Sequence, residues 1–500
     1  MSEHGNGRHW HMTLGDLVDG SGGKAVSTKV TEFKGFGTDT RADLKNKVFI
    51  ALKGDTFDAH DFLPKAVEAG AAALLVHKIP ESAKAALAGV TVVQVDDTLL
   101  ALQKLGNYWR RKMSATIIGL TGTNGKTTTK EFAAAVIGTK REVQYSKGSF
   151  NNHWGVPISL LSIDSMHEVA VIEMGMNHPG ELKTLCAIAE PDIVMVTMVG
   201  RGHLEGVGSI EGVAKAKSEI YEHAPKSATR IFNLENEHTR KMYEKFGRDL
   251  PSFETLTFAG YSALKGLGLT TSANGAAASV WPAIDVALDV TSATPESIHV
   301  KGEIRGVGGE TTIPVFGQHN VTNVMAAACL GLATGMTPDE VWTALPQCRN
   351  AWGRNHWVNL ASGARVLFDG YNANPESMRA AVDNFTTMKP QGRKIAVLGE
   401  MKELGSHTGE LHEELGRRVA GAGFDHVCFF GPSKARFEAG LKAAGFKKTS
   451  YFSDGYQQNL ALEILPVLVR NDIVLIKGSR GMQLEKVLQD LKPLDFDAKK

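Results

Sequence analysis

The chain has 500 residues, 53 of them glycine, and its 55 Lys plus Arg against 54 Asp plus Glu leave a formal charge of +1. At roughly 150 residues per domain this length predicts about three domains, and the near-cancelled charge gives no ground for nucleic acid or an anionic membrane surface as a general partner. The four cysteines, Cys186, Cys329, Cys348 and Cys428, form no C-x-x-C, which argues against a disulfide framework or structural zinc and for a reduced, cytoplasmic protein.

The opening MSEHGNGRHWHM is polar, lacks the apolar run of a signal peptide and reads as a loose tail. No apolar run reaches the roughly 18–20 residues that span a bilayer, so a soluble protein is expected. KVFIALKG, AGAAALLVHK and GVTVVQV are short apolar runs between helical patterns, which predicts a small α/β domain over 1–112. DDTLLALQKLGNYWRRKM carries apolar residues at helical spacing and a basic end, as a linking helix would.

SATIIGLTGTNGKTTTKEFAAAVIG then reads as strand, glycine turn and helix, with Thr at the helix start and Gly after it. HEVAVIEMG, PDIVMVTMVG and ATRIFNLEN alternate with helical segments such as SIEGVAKAKSEIYEHA, a pattern for a parallel sheet covered on both faces. Residues 255–316 have short alternating runs and are expected to be antiparallel strands of the same domain, and HNVTNVMAAACLGLATG returns to helix. This central domain is expected over 113–348. From 349 to 500, ARVLFDGYN, RKIAVLGEM, HVCFFGP and DIVLIKGSRG are four strand runs with helices between, a second doubly wound unit. Ligands of such sheets sit beyond the carboxyl ends of the strands, which points to Asp369, Glu400 and Lys477. The fold class is therefore α/β.

The most informative stretch is TGTNGKTTTKE, residues 121–131. A loop after a buried strand that opens a helix offers free N–H groups and a positive dipole end to phosphate. Gly122 and Gly125 permit close backbone approach, Lys126 supplies a point charge and Thr127 a hydroxyl for Mg²⁺. The spacing is not that of the usual phosphate loop, because the first glycine stands three residues, not five, before Gly125. The stretch alone favours a nucleotide site, with a glycine-rich turn carrying a solvated lysine as the rival reading.

The whole string resembles the ATP loop of the Mur ligases and their folylpolyglutamate synthase relatives, where the short glycine spacing is a family signature. FNNHWGVPISLL, EMGMNHPGEL, GHLEGVGSIEGVAKAKSEI, GQHNVTNVMAA, DGYNANPESMRAA, LGEMKELG and KGSRGMQLE follow in order. They are similar to the branch that adds D-alanyl-D-alanine, and they set the chain apart from siblings that add other amino acids. The resemblance implies three domains: one for a UDP-linked substrate, one P-loop-type ATPase domain, and a C-terminal Rossmann-like domain. It implies ATP-dependent amide formation in peptidoglycan precursor synthesis, on UDP-N-acetylmuramoyl-tripeptide and D-alanyl-D-alanine, through an acyl phosphate. A monomer is the family expectation.

Site roles follow by resemblance. Gly122, Thr123, Asn124, Gly125, Lys126, Thr127 and Thr128 would cradle ATP. Thr127 and Glu173 would hold one Mg²⁺ and His203 would help hold a second, although on spacing alone His203 reads as a loop or core histidine. Lys217 reads as a surface lysine by composition; the family often carries a carbamylated lysine there, and Lys215 is a poorer match. Asn320 and Asn323 share a helix face and would lie by the adenine, with helix capping the rival reading for Asn323. Arg354 would reach back to the phosphates and Asp369 would bind the ribose. Thr40, Arg41, Lys53, Asp58 and His60 would take the UDP-sugar, and Asn151 and Asn152 the muramoyl part. Asn372, Asn374, Lys477, Ser479 and Arg480 would face the peptide substrates, with a surface ion pair the alternative for Arg480. Met198 and Arg201 depart from the pattern, as does the His153–Trp154 pair.

Overall fold

The structure, a computed structural model, describes residues 9–54, 56–251, 254–267 and 284–494. Three sheets follow one another along the chain. The first has five strands in the order Lys24–Ser27, Thr91–Gln94, Ala73–Val76, Val48–Ile50 and Phe36–Gly37, all parallel except the first pair. The opening segment is less loose than its composition suggests. Residues 1–8 lie outside the described residues, but Trp10 and Met12 are buried, and the short strand Met12–Thr13 pairs with Glu32–Phe33. The Trp10 indole donates to Leu161 O at 2.6 Å and stacks near Trp109. Two large apolar side chains between histidines are enough to dock the segment.

The linking helix is Thr98–Lys112, capped by the Asp97 carboxylate, which accepts from Leu99 and Leu100 N–H. Its buried stripe, Ala101, Leu102, Leu105 and Trp109, faces the first core. Its basic end meets acids: Arg110 pairs with Asp192 at 2.8 Å and Lys112 with Asp16 at 2.6 Å, and cations at a helix C-terminus also favour the dipole.

The central sheet has nine strands in the order Val307–Ile313, Ile298–Ile304, Val286–Ala293, Thr255–Phe258, Thr229–Asn233, Ile193–Val196, Thr116–Thr121, Val169–Glu173 and Val143–Tyr145. Pairing is parallel from Val143–Tyr145 as far as Val286. The antiparallel part is therefore shorter than the 255–316 expected. It is the hairpin series from Val286 to Ile313, turned at Arg305 and Gly306, both with positive φ. Within the expected stretch, 268–283 lie outside the described residues.

The C-terminal sheet has six strands, not four: His356–Asn359, Arg365–Asp369, Ile473–Lys477, Lys394–Gly399, His426–Phe430 and Thr449–Ser453. The two strands missing from the sequence reading are its edges. HWVN and TSYFS are half-solvated and lack the continuous apolar run that marks a strand buried on both faces.

Candidate active site

The helix Lys126–Ile137 begins at Lys126, not at a threonine cap. Gly125, at φ 83°, is its N-cap, and no side chain caps it. The first-turn N–H groups thus stay open to an anion, which suits a phosphate rather than a closed turn. A Cβ on Gly125 would strike Asn323 Oδ1, and one on Gly122 would strike Thr197 Oγ1. The glycines are needed for packing as well as for approach. Lys126 Nζ donates to Gly122 O at 2.7 Å, folded back onto its own loop. Burial lowers the Lys126 ammonium below its ordinary pKa, and Glu173 nearby works against that.

Two cavities meet at this loop. One, of about 560 Å³, is lined by Lys126, Glu173, His203, Asn151, Asn152, Arg354, Asn372 and Arg480, so eight of the expected residues converge there. Thr127 Oγ1 donates to Glu173 Oε2 at 2.9 Å and Asn151 Nδ2 donates to Glu173 Oε1 at 2.8 Å. Arg354 Nη2 donates to Thr127 Oγ1 at 3.2 Å, and its guanidinium lies 4.5 Å from the Tyr371 ring centre. The other cavity, of about 370 Å³, lies on the far side of the loop, lined by Asn124, Gly125, Thr128, Asn320, Asn323, Asp369 and Lys477, with Arg354 shared. Neither asparagine caps its helix. Asn320 Nδ2 donates to Phe316 O at 2.7 Å and Asn323 Nδ2 to Asn320 Oδ1 at 2.8 Å, so the capping alternative for Asn323 fails.

His203 follows the strand Ile193–Val196 in the left-handed region, φ 58°, where a side chain other than Gly is strained. Its Nδ1 lies 2.6 Å from Glu403 Oε2 of the C-terminal unit. Burial lowers the His203 pKa, opposed by Glu403 and reinforced by Lys126 and Lys217. Lys217, on the helix Ile210–His223, is fully buried, so the surface reading is wrong. Its Nζ has no hydrogen-bond partner. Burial, then the Lys126 charge, puts its pKa well below the ordinary lysine value. Thr127, Glu173 and Asn151 form an oxygen-rich set that fits a hard divalent cation, to be completed by ligand oxygens. The unpaired Lys217 amine, near enough to feel Lys126 and to act on His203, would suit a cation centre only once its positive charge is lost.

Several expected residues do other work. Lys477 lines the smaller cavity, 2.5 Å from Asp369, not the larger one that Asn372 and Arg480 line. Asn374 caps the helix Pro375–Thr387 and exchanges two amide bonds with Asn124, at 2.7 and 3.1 Å. Ser479 is buried, and its Oγ accepts from Lys402 N at 3.1 Å. Thr123 Oγ1 is tied to the Gly200 backbone. In the N-terminal sheet, Thr40 and Arg41 line a cavity of about 600 Å³ with Phe57, Phe62 and Lys65. Lys53 is exposed and is not among its lining residues. Asp58 pairs with Lys78 at 2.7 Å, and His60 is sealed between Asp58 and His77 N–H. These last two are thus bonded within the N-terminal unit. Glu400 likewise holds Ser433 inside the C-terminal unit.

Sequence reasoning missed Glu403, Tyr371 and Lys130, although each stands inside or beside a quoted motif. Lys130 is fully buried, and its Nζ donates to Ser146 O and to Gly148 O, at 2.5 and 2.9 Å. It thereby fixes the loop that carries Asn151. One helical turn beyond Lys126, it was the sequence's one signal that this helix has a charged inner face.

Comparison with known proteins agrees with this geometry. The Mur ligase middle domain matches residues 120–331, and the Mur ligase glutamate ligase domain matches 353–480. A UDP-N-acetylmuramoyl-tripeptide–D-alanyl-D-alanine ligase of Bacillus subtilis is 34% identical over 92% of this chain and 93% of its own. The enzyme of that name from Escherichia coli is 32% identical over 96% and 98%. A crystal structure of MurF from Acinetobacter baumannii superposes with a TM-score of 0.79 at 28% identity, covering 97% of this chain and 99% of that one. A MurF ligase from Thermotoga maritima in complex with ADP gives 0.70 at 26%, over 91% and 96%. The chain belongs to the Mur ligase family, in its MurF branch.

Proposed function

We propose that the chain joins D-alanyl-D-alanine to UDP-N-acetylmuramoyl-tripeptide at the expense of ATP, as an ADP-forming ligase of peptidoglycan precursor synthesis. One observation carries the reading of the site. Arg354 and the phosphate loop stand between two cavities, and the loop's open N–H groups and Lys126 stand at the same junction. A nucleotide in the smaller cavity would end its phosphate chain there, facing an acyl group in the larger one.

The chemistry needs that junction. A tripeptide carboxylate oxygen bonds to the γ-phosphorus as the β–γ bridge breaks and ADP leaves. The amine of D-alanyl-D-alanine then attacks the acyl carbon, the C–O bond to phosphate breaks, and the amine proton is lost. Both steps bring anions together, so cations must lower the barrier. Lys126 and Arg354 supply fixed charge. Mg²⁺, held by Thr127 and Glu173 with His203 at a second position, would supply Lewis-acid neutralisation of the phosphate oxygens. Asn151 and Thr127 orient the Glu173 carboxylate. Lys217, buried with no partner, has its pKa lowered by burial, which favours the neutral form that can add to CO₂, and the resulting carbamate would turn a misplaced cation into an oxygen ligand.

Asn320, Asn323 and Asp369 are assigned to the nucleoside, with Lys477 orienting Asp369. Asn152, Asn372 and Arg480 are assigned to the peptide substrates, and the Thr40–Arg41 cavity to the UDP end. We set the domain boundaries at 112/113 and 348/349 and keep the monomer that the family resemblance implies. No helix among the described residues is long and apolar enough to cross a membrane. The test is phosphate release from ATP with UDP-N-acetylmuramoyl-tripeptide, with and without D-alanyl-D-alanine. Release that needs both, with a pentapeptide product by mass, is expected. Turnover only with a single amino acid would move the chain to a sibling activity.

A further inference from the structure

Arg201 lines neither cavity and stands at the seam between the central and C-terminal units. Its backbone N–H donates to Glu376 Oε2 at 3.0 Å and its Nε to Glu376 Oε1 at 3.2 Å. Its Nη1 donates to Glu414 Oε2 at 3.3 Å. Glu376 lies in the first turn of Pro375–Thr387, where a carboxylate is also favoured by the helix dipole. Glu414 lies on Thr408–Ala420. One arginine thus grips two helices of the C-terminal unit.

The loop that carries Arg201 is sewn to the phosphate loop. Thr123 N–H donates to Met198 O and Gly200 N–H to Thr123 Oγ1, both at 2.9 Å. A Cβ on Gly202 would press 2.7 Å against the Thr123 methyl, and one on Gly200 would lie 3.0 Å from the Glu376 carboxyl carbon. Two residues on, His203 meets Glu403. The helix that Arg201 grips begins at Asn374, whose amide is paired with Asn124 of the phosphate loop. The same unit carries Arg354, which must sit on Thr127 to complete the junction. Other bonds across this seam include Tyr371 Oη to Ser149 Oγ at 2.5 Å and Arg365 to Glu296 at 2.6 Å, neither of them made to the phosphate loop. Among the described elements, only Leu204–Val207 packs appreciably against an element of the C-terminal unit, the short turn Gly405–His407.

We propose that Arg201 is a positioning residue for the ligase reaction. Through Glu376 and Glu414 it registers the C-terminal unit on the phosphate loop, so that Arg354 reaches the reacting phosphate. The proposal rests on the ligase reading above. Because Arg201 does not line the substrate cavities, its loss acts on the step after binding, once the units have closed.

The test is steady-state phosphate release by full-length Arg201→Ala, Arg201→Lys, Glu414→Gln and the Ala/Gln double variant. For a half-exposed ion pair worth about 1 kcal/mol, kcat in Arg201→Ala falls by roughly three- to ten-fold. The KM for ATP stays within about two-fold and the melting temperature holds, and Arg201→Lys, which keeps the charge but not the fork, recovers part of the loss. In the double variant the two effects are not multiplicative, because one contact has been removed twice. Wild-type kcat in Arg201→Ala, or effects that simply multiply, would overturn it. Should Arg201→Ala fail to fold, Glu414→Gln decides alone: a lowered kcat in a stable protein supports the proposal and an unchanged kcat overturns it. Failure of the ligase reading would look different, since wild-type phosphate release would not then depend on the amine.

Discussion

At the scale of single residues the site is a problem of charge. Lys126, Lys217, Arg354 and His203 crowd one region, with Glu173 and Glu403 as its nearby acids. Like charges in a desolvated place are tolerated only if anions arrive or a cation is neutralised. That argument separates the two lysines. On the proposed mechanism Lys126 meets the γ-phosphate, so Lys126→Ala should lower amine-dependent phosphate release by at least ~10²-fold, the cost of losing one aimed donor to a developing anion. Near-normal turnover in that variant would remove the loop from the mechanism. Lys217, buried and unpaired, is instead suited to losing its charge. Lys217→Ala should be inactive and should regain activity in part when formate or acetate is added, because a short carboxylate can occupy the space of the carbamate. A Lys217→Ala enzyme that works fully without additive contradicts that role.

At the scale of elements, the helix Leu14–Ser21 shows how one acid fastens two segments. Asp16 completes a capping box with Thr13, accepts from the Tyr108 hydroxyl at 2.9 Å and pairs with Lys112 at 2.6 Å, both on the linking helix. Burial alone would raise its pKa, but the bonds from Lys112, Thr13 and Tyr108 outweigh it and hold the carboxyl at about 2. A folded pKa below the unfolded value means stability present above about pH 4 and lost as pH falls toward 2. Asp16→Asn should therefore cost on the order of 1–2 kcal/mol at pH 7, allowing for solvent screening at half-exposed Lys112. The gap should close by about pH 2 in denaturant melts of the two proteins. A gap that persists at low pH would assign the loss to geometry instead. Legibility in the sequence follows the same physics. Strands buried on both faces and helices with one apolar stripe announce themselves, and so does a strand–glycine–helix loop. The edge strands HWVN and TSYFS, half in water, do not. Eight of the residues that motif resemblance singled out line one cavity, yet the resemblance could not tell that Lys477 turns to Asp369, that Asn374 spends its amide on Asn124, or that Asp58 and His60 satisfy each other. Those outcomes depend on neighbours distant in the chain, as do the partners of Glu403 and Arg201.

At the scale of the whole molecule the two seams differ in kind. The N-terminal unit is fused to the central one. The linking helix Thr98–Lys112 packs along both Gly155–Leu161 and Glu181–Ala189, Ile158 and Leu161 share a core with Trp10 and Trp109, and the Trp109 indole donates to Ile163 O at 2.8 Å. The C-terminal seam also has apolar contact, with the Phe316–Trp357 ring pair at 5.6 Å and Leu204 and Phe316 in one buried cluster with Leu404 and Phe385, but it is crossed as well by polar bridges such as Arg201–Glu414, whose carboxylate is half-exposed. Apolar burial is indifferent to ionic strength, whereas exposed ion pairs are screened when the Debye length drops from ~10 Å at 0.1 M salt to ~3 Å at 1 M. Raising NaCl from 0.1 to 1 M should therefore loosen only the C-terminal seam. Small-angle scattering of the ligand-free protein should show a larger radius of gyration at high salt, and protease should first cut the connection between Leu345 and Arg354, leaving the N-terminal and central units joined. ATP analogue and tripeptide substrate should reverse the expansion, because Arg354 then gains an anion to hold. Early release of the N-terminal unit, or scattering that ignores salt, would mean that the seams have been ranked in the wrong order.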